Sequence, residues 1–269
     1  MVRNSQTKIV GILNLTPDSF SDGGKYDCAE SALKQLELML NGGAEIIDIG
    51  GESSRPNAKA LSDQEEFSRL ENILPKVINK IKEFNNLHQK QIKSSIDSYH
   101  FSTVVKSYEM GIDIVNDISG LIDEKIVEFV AKKNITTILM HNLAIHANPN
   151  LIVNQDLNIN HEILKWAQQK IIALQKKGVK KSQLIFDPGI GFSKNARQSL
   201  RIIKNIEFYR QLELPIMVGH SKKSCLDDLD IEGDRAVKTL TITKFLSQKR
   251  VDYVRVHDVL ENFKVINNF

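Results

Sequence analysis

The sequence has few of the residues that cross-link a chain or anchor it in a membrane. It contains two cysteines, Cys28 and Cys225, among 269 residues, which are too few and too plainly spaced for a disulfide framework or a zinc site. No apolar run approaches the length of a membrane span. The opening residues MVRNSQTK lead straight into an apolar strand, without the apolar region of a signal peptide. These features predict a protein of a reducing compartment, the cytoplasm.

The chain also has little excess of charge of one sign. Lys and Arg number 36 against 33 Asp and Glu, and the lysines are scattered over many segments rather than clustered, so binding to nucleic acid is disfavoured. A hydrophobic content of 41% and a charged content of 26% are ordinary for a globular protein. We find neither a low-complexity segment nor a Pro/Gly/Ser-rich linker and therefore expect one domain, residues 1–269.

Short apolar runs alternate with longer amphipathic stretches eight times along the chain. The runs are rich in Ile and Val, which is typical of buried parallel strands. Eight such units in a chain of this length predict a (β/α)8 TIM barrel of the α/β class, with an open doubly wound sheet as the structural alternative. The predicted strands are Lys8–Leu15, Glu45–Ile49, Ile92–Ile96, Ile112–Val115, Thr136–Met140, Gln183–Phe186, Pro215–Val218 and Tyr253–Val256. The predicted helices are Ala29–Leu40, Asp63–Phe84, Glu162–Lys177, Asp234–Gln248 and Asp258–Ile266.

Polar residues follow every predicted strand, at the end of a barrel where active sites are built. Asp, Asn and Ser in such places are often helix caps. That reading fits Lys223, Arg255 and His257 poorly, because cations oppose the dipole at a helix start, so these residues indicate an anionic ligand. In chain order, the polar residues at the end of each strand or just after it are Asn14, Asp48 and Glu52, Asp97, Asn116 and Asp117, His141, Asp187, Ser221, Lys222 and Lys223, and Arg255, His257 and Asp258.

The longest loops follow the first two strands, over residues 16–24 and 50–56. Both mix glycine, proline, hydroxyl groups and charge. They fit either two irregular solvated connections or a pair of mobile loops that close over a substrate. Their glycine spacing matches neither a Walker nor a Rossmann fingerprint.

Seven segments at or near the strand ends carry motifs of their own: Gly11–Gly24, Asp48–Pro56, Ile96–Asp97, Asn116–Ile118, Asp187–Phe192, Gly219–Ser224 and Arg255–Asp258. They resemble the dihydropteroate synthase family, in the order that the family has them and over nearly the whole chain, from Lys8 to Asp258. Three positions depart from the family pattern: Ser54 replaces Thr, Lys222 replaces Arg, and His220 is unusual. Lys222 lacks the planar bidentate contacts of Arg, so these changes are expected to affect the fit to p-aminobenzoate or its analogues.

The resemblance implies a transferase of folate biosynthesis that is a target of sulfonamides and is usually dimeric. The arylamine of p-aminobenzoate displaces pyrophosphate from 6-hydroxymethyl-7,8-dihydropterin pyrophosphate, and Mg²⁺ assists. We expect Asp22, Asp97 and Lys223 to be catalytic and Asn14 to be a magnesium ligand. The expected pterin site consists of Asp97, Asn116, Met140, Asp187, Phe192, Gly219 and Lys223. The expected pyrophosphate site consists of Asn14, Arg55, Arg255 and His257, and that for p-aminobenzoate of Phe20, Ser54, Pro56, Phe192, Ser221 and Ser224.

Two other functions remain open on the sequence alone. A pterin-dependent methyltransferase shares the barrel and the pterin-facing Asp and Asn, but it has no need of the loop 16–24 or of Arg55. A non-catalytic pterin-binding paralogue would typically lose that loop motif or the phosphate cluster, and the sequence keeps both. For the synthase we favour a dissociative reaction over an acid/base pair formed by Asp97 and Asp187, because a neutral arylamine is already nucleophilic.

Overall fold

All eight predicted strands are present, and all are parallel. The computed structural model describes residues 6–15, 25–53, 60–145 and 151–268, with the side chains of residues 25–28 left out. Every predicted strand overlaps an observed one, with ends displaced by at most two residues. The strands are β1 (Lys8–Asn14), β2 (Ile46–Gly50), β3 (Lys93–Asp97), β4 (Ile114–Asp117), β5 (Thr136–Met140), β6 (Leu184–Asp187), β7 (Met217–Val218) and β8 (Tyr253–Val256).

The strands form a closed ring rather than an open sheet. Their order is β6-β5-β4-β3-β2-β1-β8-β7, and a parallel bridge between Phe186 and Ile216 joins the two ends. At this seam the Phe186 amide N–H donates to the Pro215 carbonyl at 2.8 Å. The (β/α)8 barrel is therefore confirmed, and the doubly wound alternative is excluded.

The helices were predicted less completely than the strands. The predicted helix Asp63–Phe84 is wrong as one element, because Pro75 cannot continue a helix and a second helix begins beside it. Helices α4, α5 and α7 were missed altogether. The helices are α1 (Lys25–Asn41), α2 (Asp63–Leu70), α3 (Leu74–His88), α4 (Phe101–Met110), α5 (Glu124–Lys133), α6 (Ile159–Lys176), α7 (Ala196–Lys204), α8 (Arg235–Gln248) and α9 (Val259–Asn267).

Alternation along the strands creates two separate cores. Outward-facing residues pack against the helices, as Ile47, Leu139 and Val254 do. A smaller cluster fills the barrel itself and includes Val10, Ile138 and Met217. Because inward residues recur every second position, this plug lies one or two layers below the carboxyl ends of the strands. The last inward position of each strand is left for the site.

Within the described residues, no helix is long and apolar enough to cross a membrane.

Candidate functional site

The last inward positions of the strands carry polar groups that meet at one end of the barrel. Asn14 is the last residue of β1, Asp97 of β3 and Asp187 of β6. A Cβ atom built on Gly50 would lie 3.5 Å from the Asp97 Cβ and 3.7 Å from the Asn14 Oδ1, so glycine there keeps the space between these two side chains open. The strand order thus gathers, around one pocket, residues that are far apart in the sequence.

A charged network spans the floor of this pocket. The Arg255 Nε donates to the Asp48 Oδ2 at 2.6 Å, and the Arg255 Nη2 donates to the Asp97 Oδ2 at 2.6 Å. The Asn116 Nδ2 donates to the same Asp48 oxygen at 2.8 Å. Burial raises the pKa of Asp97 to about 7, although the Arg255 guanidinium acts in the opposite direction.

Asp187 is a buried acceptor held in place by its own loop. Its Oδ1 accepts from the Gly189 amide N–H at 2.7 Å. Gly189 has φ +68°, and a Cβ there would lie 2.2 Å from the His141 carbonyl oxygen, so only glycine permits this turn. Burial raises the pKa of Asp187 to about 6. A Cβ on Gly219 would lie 3.8 Å from the Asp187 Oδ2, so the missing side chain leaves that oxygen accessible to a ligand.

Lys223 and an apolar wall complete the pocket. The Lys223 Nζ lies 4.2 Å from the centre of the Phe192 ring, and burial lowers the pKa of this lysine to about 8. Phe192 packs with Ile118 and Met140 in a small buried cluster of its own. A flat apolar wall beside carboxylate, amide and ammonium groups suits a planar heterocycle whose edge carries both donors and acceptors.

The predicted anion end is only partly free for a ligand. The Ser221 hydroxyl lies 3.0 Å from the His257 Nδ1 and also accepts from the His257 amide N–H at 3.3 Å. Ser221 is thus buried beside a residue predicted for pyrophosphate, and its predicted contact with p-aminobenzoate stays a prediction. Ser224 is exposed at the start of the 3₁₀ helix Ser224–Asp228, where backbone N–H groups begin. Arg255 is bound to two carboxylates of the chain itself, and its predicted role in binding pyrophosphate stays a prediction.

The structure places two of the three residues that depart from the family pattern. The His220 Nε2 is 2.9 Å from the Thr243 Oγ1, and burial lowers the pKa of this histidine to about 4, so it is a neutral core residue at neutral pH. The Lys222 Nζ forms an ion pair with the Asp258 Oδ2 at 2.9 Å. Asp258 precedes helix α9 but forms no side-chain cap hydrogen bond within the described residues. The third departure, Ser54, lies outside the described residues.

Sequence reasoning missed a buried lysine behind the pocket. The Lys194 Nζ donates to the Phe192 carbonyl at 2.7 Å and to the His141 carbonyl at 3.2 Å, and it lies 2.9 Å from the His141 Nδ1. Burial lowers the pKa of Lys194 to about 7. These bonds tie the loop that carries Asp187 and Phe192 to the end of β5. No signal in the sequence distinguishes Lys194 from a surface lysine.

The loop residues of the predicted site cannot be compared with the structure. Phe20, Asp22, Ser54, Arg55 and Pro56 all lie outside the described residues. Their predicted roles stay predictions.

The described residues fit a magnesium ion with one protein ligand. They contain no group of three or more His, Cys, Asp or Glu side chains that could hold a metal. Asn14 offers an amide oxygen beside Gly50, at the edge of the Arg255 network. Mg²⁺ is commonly bound through few protein ligands and completed by phosphate oxygens and water. A site that forms only together with a phosphorylated ligand agrees with this donor set.

Comparison with known proteins gives a consistent result. The family model described as pterin binding enzyme matches residues 10–257. The dihydropteroate synthase of Clostridium beijerinckii is 38% identical over 265 residues, which cover 96% of this chain and 91% of that protein. Two solved structures are similar along nearly their whole length. Dihydropteroate synthase from Anaplasma phagocytophilum with bound 6-hydroxymethylpterin-monophosphate has a TM-score of 0.87 at 32% identity, with 98% of each chain covered. The Yersinia pestis enzyme with a sulfonamide drug complex has a TM-score of 0.86 at 28% identity, with 100% of this chain and 96% of that chain covered.

Proposed function

The chain belongs to the pterin-binding enzyme family and, within it, to the dihydropteroate synthases, and on that premise we propose how its residues divide the reaction between them. The activity is that of a transferase in folate biosynthesis, which condenses 6-hydroxymethyl-7,8-dihydropterin pyrophosphate with p-aminobenzoate. The observation that carries the assignment of roles is the single pocket formed by Asp97, Asn116, Asp187 and Lys223. All four were expected at the carboxyl end of the barrel from their positions after strands.

We propose that the pterin ring lies against Phe192 and Met140 with its polar edge toward the barrel floor. Asp187 accepts from the amino group and the ring N–H, which a buried carboxylate does well. Asn116 faces the adjoining edge, and Asp97 accepts from the far ring N–H. Lys223 donates to the carbonyl oxygen and a ring nitrogen. Gly219 supports this placement, because a Cβ there would lie 3.8 Å from the Asp187 Oδ2 and 3.9 Å from the Arg255 side chain, and would occupy space beside both groups.

We propose that pyrophosphate lies across Asn14, Arg255 and His257, with Arg55 added from the second loop. A polyanionic leaving group needs cations and N–H donors that are already in place as its charge develops. Mg²⁺, held by Asn14 and phosphate oxygens, would supply further positive charge at the leaving group. We favour bond breaking before attack, so that the residues around the ring stabilise the cation that remains. Asp22 would then lie near the incoming amine.

An assay of pyrophosphate release tests the activity. We expect release to require both the dihydropterin pyrophosphate and p-aminobenzoate, and to stop when Mg²⁺ is chelated. Calorimetry with pyrophosphate and Mg²⁺ separates the alternatives, because a pterin-dependent methyltransferase has no site for this anion. Absence of release with both substrates, together with normal pterin binding, would favour a non-catalytic paralogue.

We expect the affinity for a pterin to pass through a maximum between about pH 6 and about pH 8. Asp187 must be ionised to accept from the ligand, so affinity rises as pH increases through its pKa of about 6. Lys223 binds most strongly when protonated, so affinity falls as pH increases through its pKa of about 8. Calorimetry across this pH range with 6-hydroxymethylpterin monophosphate measures both the rise in affinity at low pH and its decline at high pH. Asp97, which in this proposal also accepts from the ring, has a raised pKa and therefore adds to the loss of affinity at low pH.

A change of Lys223 to Arg tests whether Lys223 causes the decline in affinity at high pH. Arg keeps its proton throughout this range, so Lys223→Arg should bind with little decline above pH 8. An alkaline decline of unchanged size in that variant would show that another group, or the ligand itself, causes it.

We propose an ordered reaction in which p-aminobenzoate binds last, between Phe20 and Pro56, with Phe192 on the inner side. Ser54 and Ser221 would border this pocket, and Ser224 would hold the carboxylate at the start of its 3₁₀ helix. Arg55 would join this site to pyrophosphate.

Sulfonamide binding tests this order. Sulfonamides should compete with p-aminobenzoate and bind at least about tenfold more weakly without pyrophosphate and Mg²⁺, because Arg55 then has no anion to join, a loss of about 1.4 kcal/mol. Calorimetry with one sulfonamide, with and without these two components, measures the difference. Equal affinity in both conditions would refute the order. Unchanged kinetics for p-aminobenzoate in Phe20→Ala would remove the first loop from its pocket.

We also propose that residues 1–269 act as one domain, in a homodimer located in the cytoplasm. The eight strands from Lys8 to Val256 lie in one sheet, which supports the first point. The resemblance to a family that is usually dimeric supports the second, and the absence of cysteine-rich patterns in the sequence supports the third. Sedimentation of the purified protein tests the dimer.

A further inference from the structure

Asp48 lies below the pocket and is the point where its two halves meet. Its side chain is fully buried, and one oxygen, Oδ2, accepts from both Asn116 and Arg255. We propose that Asp48 is a positioning residue that sets the orientation of the pterin-facing amide of Asn116 and of the pyrophosphate-facing guanidinium of Arg255. The inference rests on the proposed function of these two partners, and it concerns a residue that touches neither substrate.

The first part of the argument concerns the direction of the Asn116 amide. An ionised carboxylate only accepts hydrogen bonds, so the NH₂ end of the amide must face Asp48 and the oxygen must face away. One N–H is then used at 2.8 Å, and the second N–H and Oδ1 remain for a ligand. A flipped amide would bring two acceptors together at that distance. Asp48 therefore selects a ligand edge with an acceptor beside a donor, as an aminopyrimidine ring presents.

The second part concerns the nitrogens of Arg255. Nε is bonded to Asp48 and Nη2 to Asp97, both at 2.6 Å. Two carboxylates on two sides fix the plane of the guanidinium group, while Nη1 makes no hydrogen bond to another described residue. A fixed plane with one free nitrogen can receive a phosphate oxygen without first losing the rotational freedom of a long side chain.

The second oxygen of Asp48 argues against a purely stabilising role. Asp48 Oδ1 is buried and has no hydrogen-bond partner among the described residues. A buried carboxylate that only stabilised the fold would ordinarily satisfy both oxygens, because an unsatisfied polar atom costs free energy. Replacing a buried ion pair by apolar groups is often neutral or stabilising, so retention of this charge fits a role in orienting its partners.

The experiment compares Asp48→Asn with the unchanged protein. Asn has nearly the same shape but removes the charge and one accepting direction. We expect the affinity for 6-hydroxymethylpterin monophosphate and the inhibition by pyrophosphate both to weaken by about 10- to 100-fold, the range for a hydrogen bond to a charged group. The KM for p-aminobenzoate should stay within about twofold, because neither partner of Asp48 is assigned to that pocket.

A double-mutant cycle separates positioning from general damage. In an Asn116→Ala background, Asp48→Asn should weaken binding of the unphosphorylated 6-hydroxymethylpterin by less than about threefold, since the amide that Asp48 orients is gone and this ligand has no phosphate for Arg255. A full effect in that background would show that Asp48 acts on the pocket by another route and would overturn the proposal. Failure of the unchanged protein to bind the pterin would instead refute the proposed function.

Ser95→Ala is the matched control for a change inside the barrel. Ser95 is paired with Asp48 in the β2–β3 register and is also fully buried. It should leave both affinities within about twofold. If Asp48→Asn does not fold, as judged by thermal melting, Asp48→Ser is measured in its place. Loss of folding in both variants would show that Asp48 supports the barrel rather than the site, and would overturn the assignment.

Discussion

Replacing Asp187 or Lys223 by Ala should reduce the affinity for 6-hydroxymethylpterin monophosphate by about 100-fold or more. Asp187 is buried and Lys223 is half-buried at the pocket, and each would form more than one charge-assisted hydrogen bond to the ring, at about 1.5–3 kcal/mol per bond. Truncation also leaves the ligand's own polar groups unpaired in a site that excludes water. Calorimetry with the two variants and the unchanged protein measures the effect directly.

Asp117 provides a closely matched control for the change at Asp187. Both residues are fully or nearly fully buried at the end of a strand, and both accept from an amide N–H two residues later, at 2.7 Å in each case. In both, burial raises the pKa to about 6. They differ in direction, since Asp117 alternates with the inward-facing Asn116 and points toward the helices. Asp117→Ala should therefore lose stability comparable to that lost in Asp187→Ala while it keeps the pterin affinity. Wild-type affinity in both Asp187→Ala and Lys223→Ala would refute the assignment of the pocket.

The contrast between these two aspartates shows how far the sequence could lead. Strand ends were predictable because short runs rich in Ile and Val are typical of buried strands. Parallel strands in a barrel then bring their carboxyl ends together. Both Asp117 and Asp187 were thus placed at the correct end of the molecule. Alternation within a strand then decides which side chain faces inward, and a displacement of one residue in a strand boundary reverses the answer. Resemblance to the family, rather than pattern, favoured Asp187.

Partners that are distant in the sequence could not be predicted from it. Arg255 and Asp48 are 207 positions apart, and nothing local to either residue indicates that they meet. Positive charge at the end of β8 indicates an anionic partner, and the structure shows two carboxylates of the same chain beside Arg255. The sequence does not distinguish these carboxylates from a phosphate ligand. The burial of Lys194 was not predicted for a related reason. A lysine in a polar loop ordinarily faces solvent, and only the packing of the loop in the structure shows that this one is buried.

The helix errors have local physical causes. Pro75 lies within the predicted Asp63–Phe84 helix, and because it has no backbone N–H, a new helix starts there. Helix α4 begins without a side-chain cap, so the usual start signal is lacking. Helix α7 has a full capping box between Asn195 and Gln198, so its start carries a signal that is visible in the sequence.

Replacing Arg255 by Ala should weaken the inhibition by pyrophosphate by about 100-fold. The variant loses a charge-assisted contact between Arg255 and the anion. It also leaves the carboxylates of Asp48 and Asp97 without the cation between them, so their repulsion would disturb the geometry of the site. The same variant should be less stable by about 3–5 kcal/mol, the usual cost of leaving a buried charge unpaired. Inhibition constants with Mg²⁺ present, together with thermal melting, measure the two effects separately.

Two further variants distinguish charge from geometry at this position. Arg255→Lys keeps the charge but cannot bridge two carboxylates in one plane, so it should recover part of the stability and little of the pyrophosphate affinity. Arg69→Ala controls for the loss of one positive charge, because the Arg69 Nη1 donates to the Gly51 carbonyl at 3.0 Å after β2 and is assigned to no ligand. It should leave the inhibition within about twofold. A folded Arg255→Ala protein that pyrophosphate inhibits as strongly as the unchanged enzyme would mean that Arg255 serves only Asp48 and Asp97. The leaving group would then be bound by Asn14 and His257 without it.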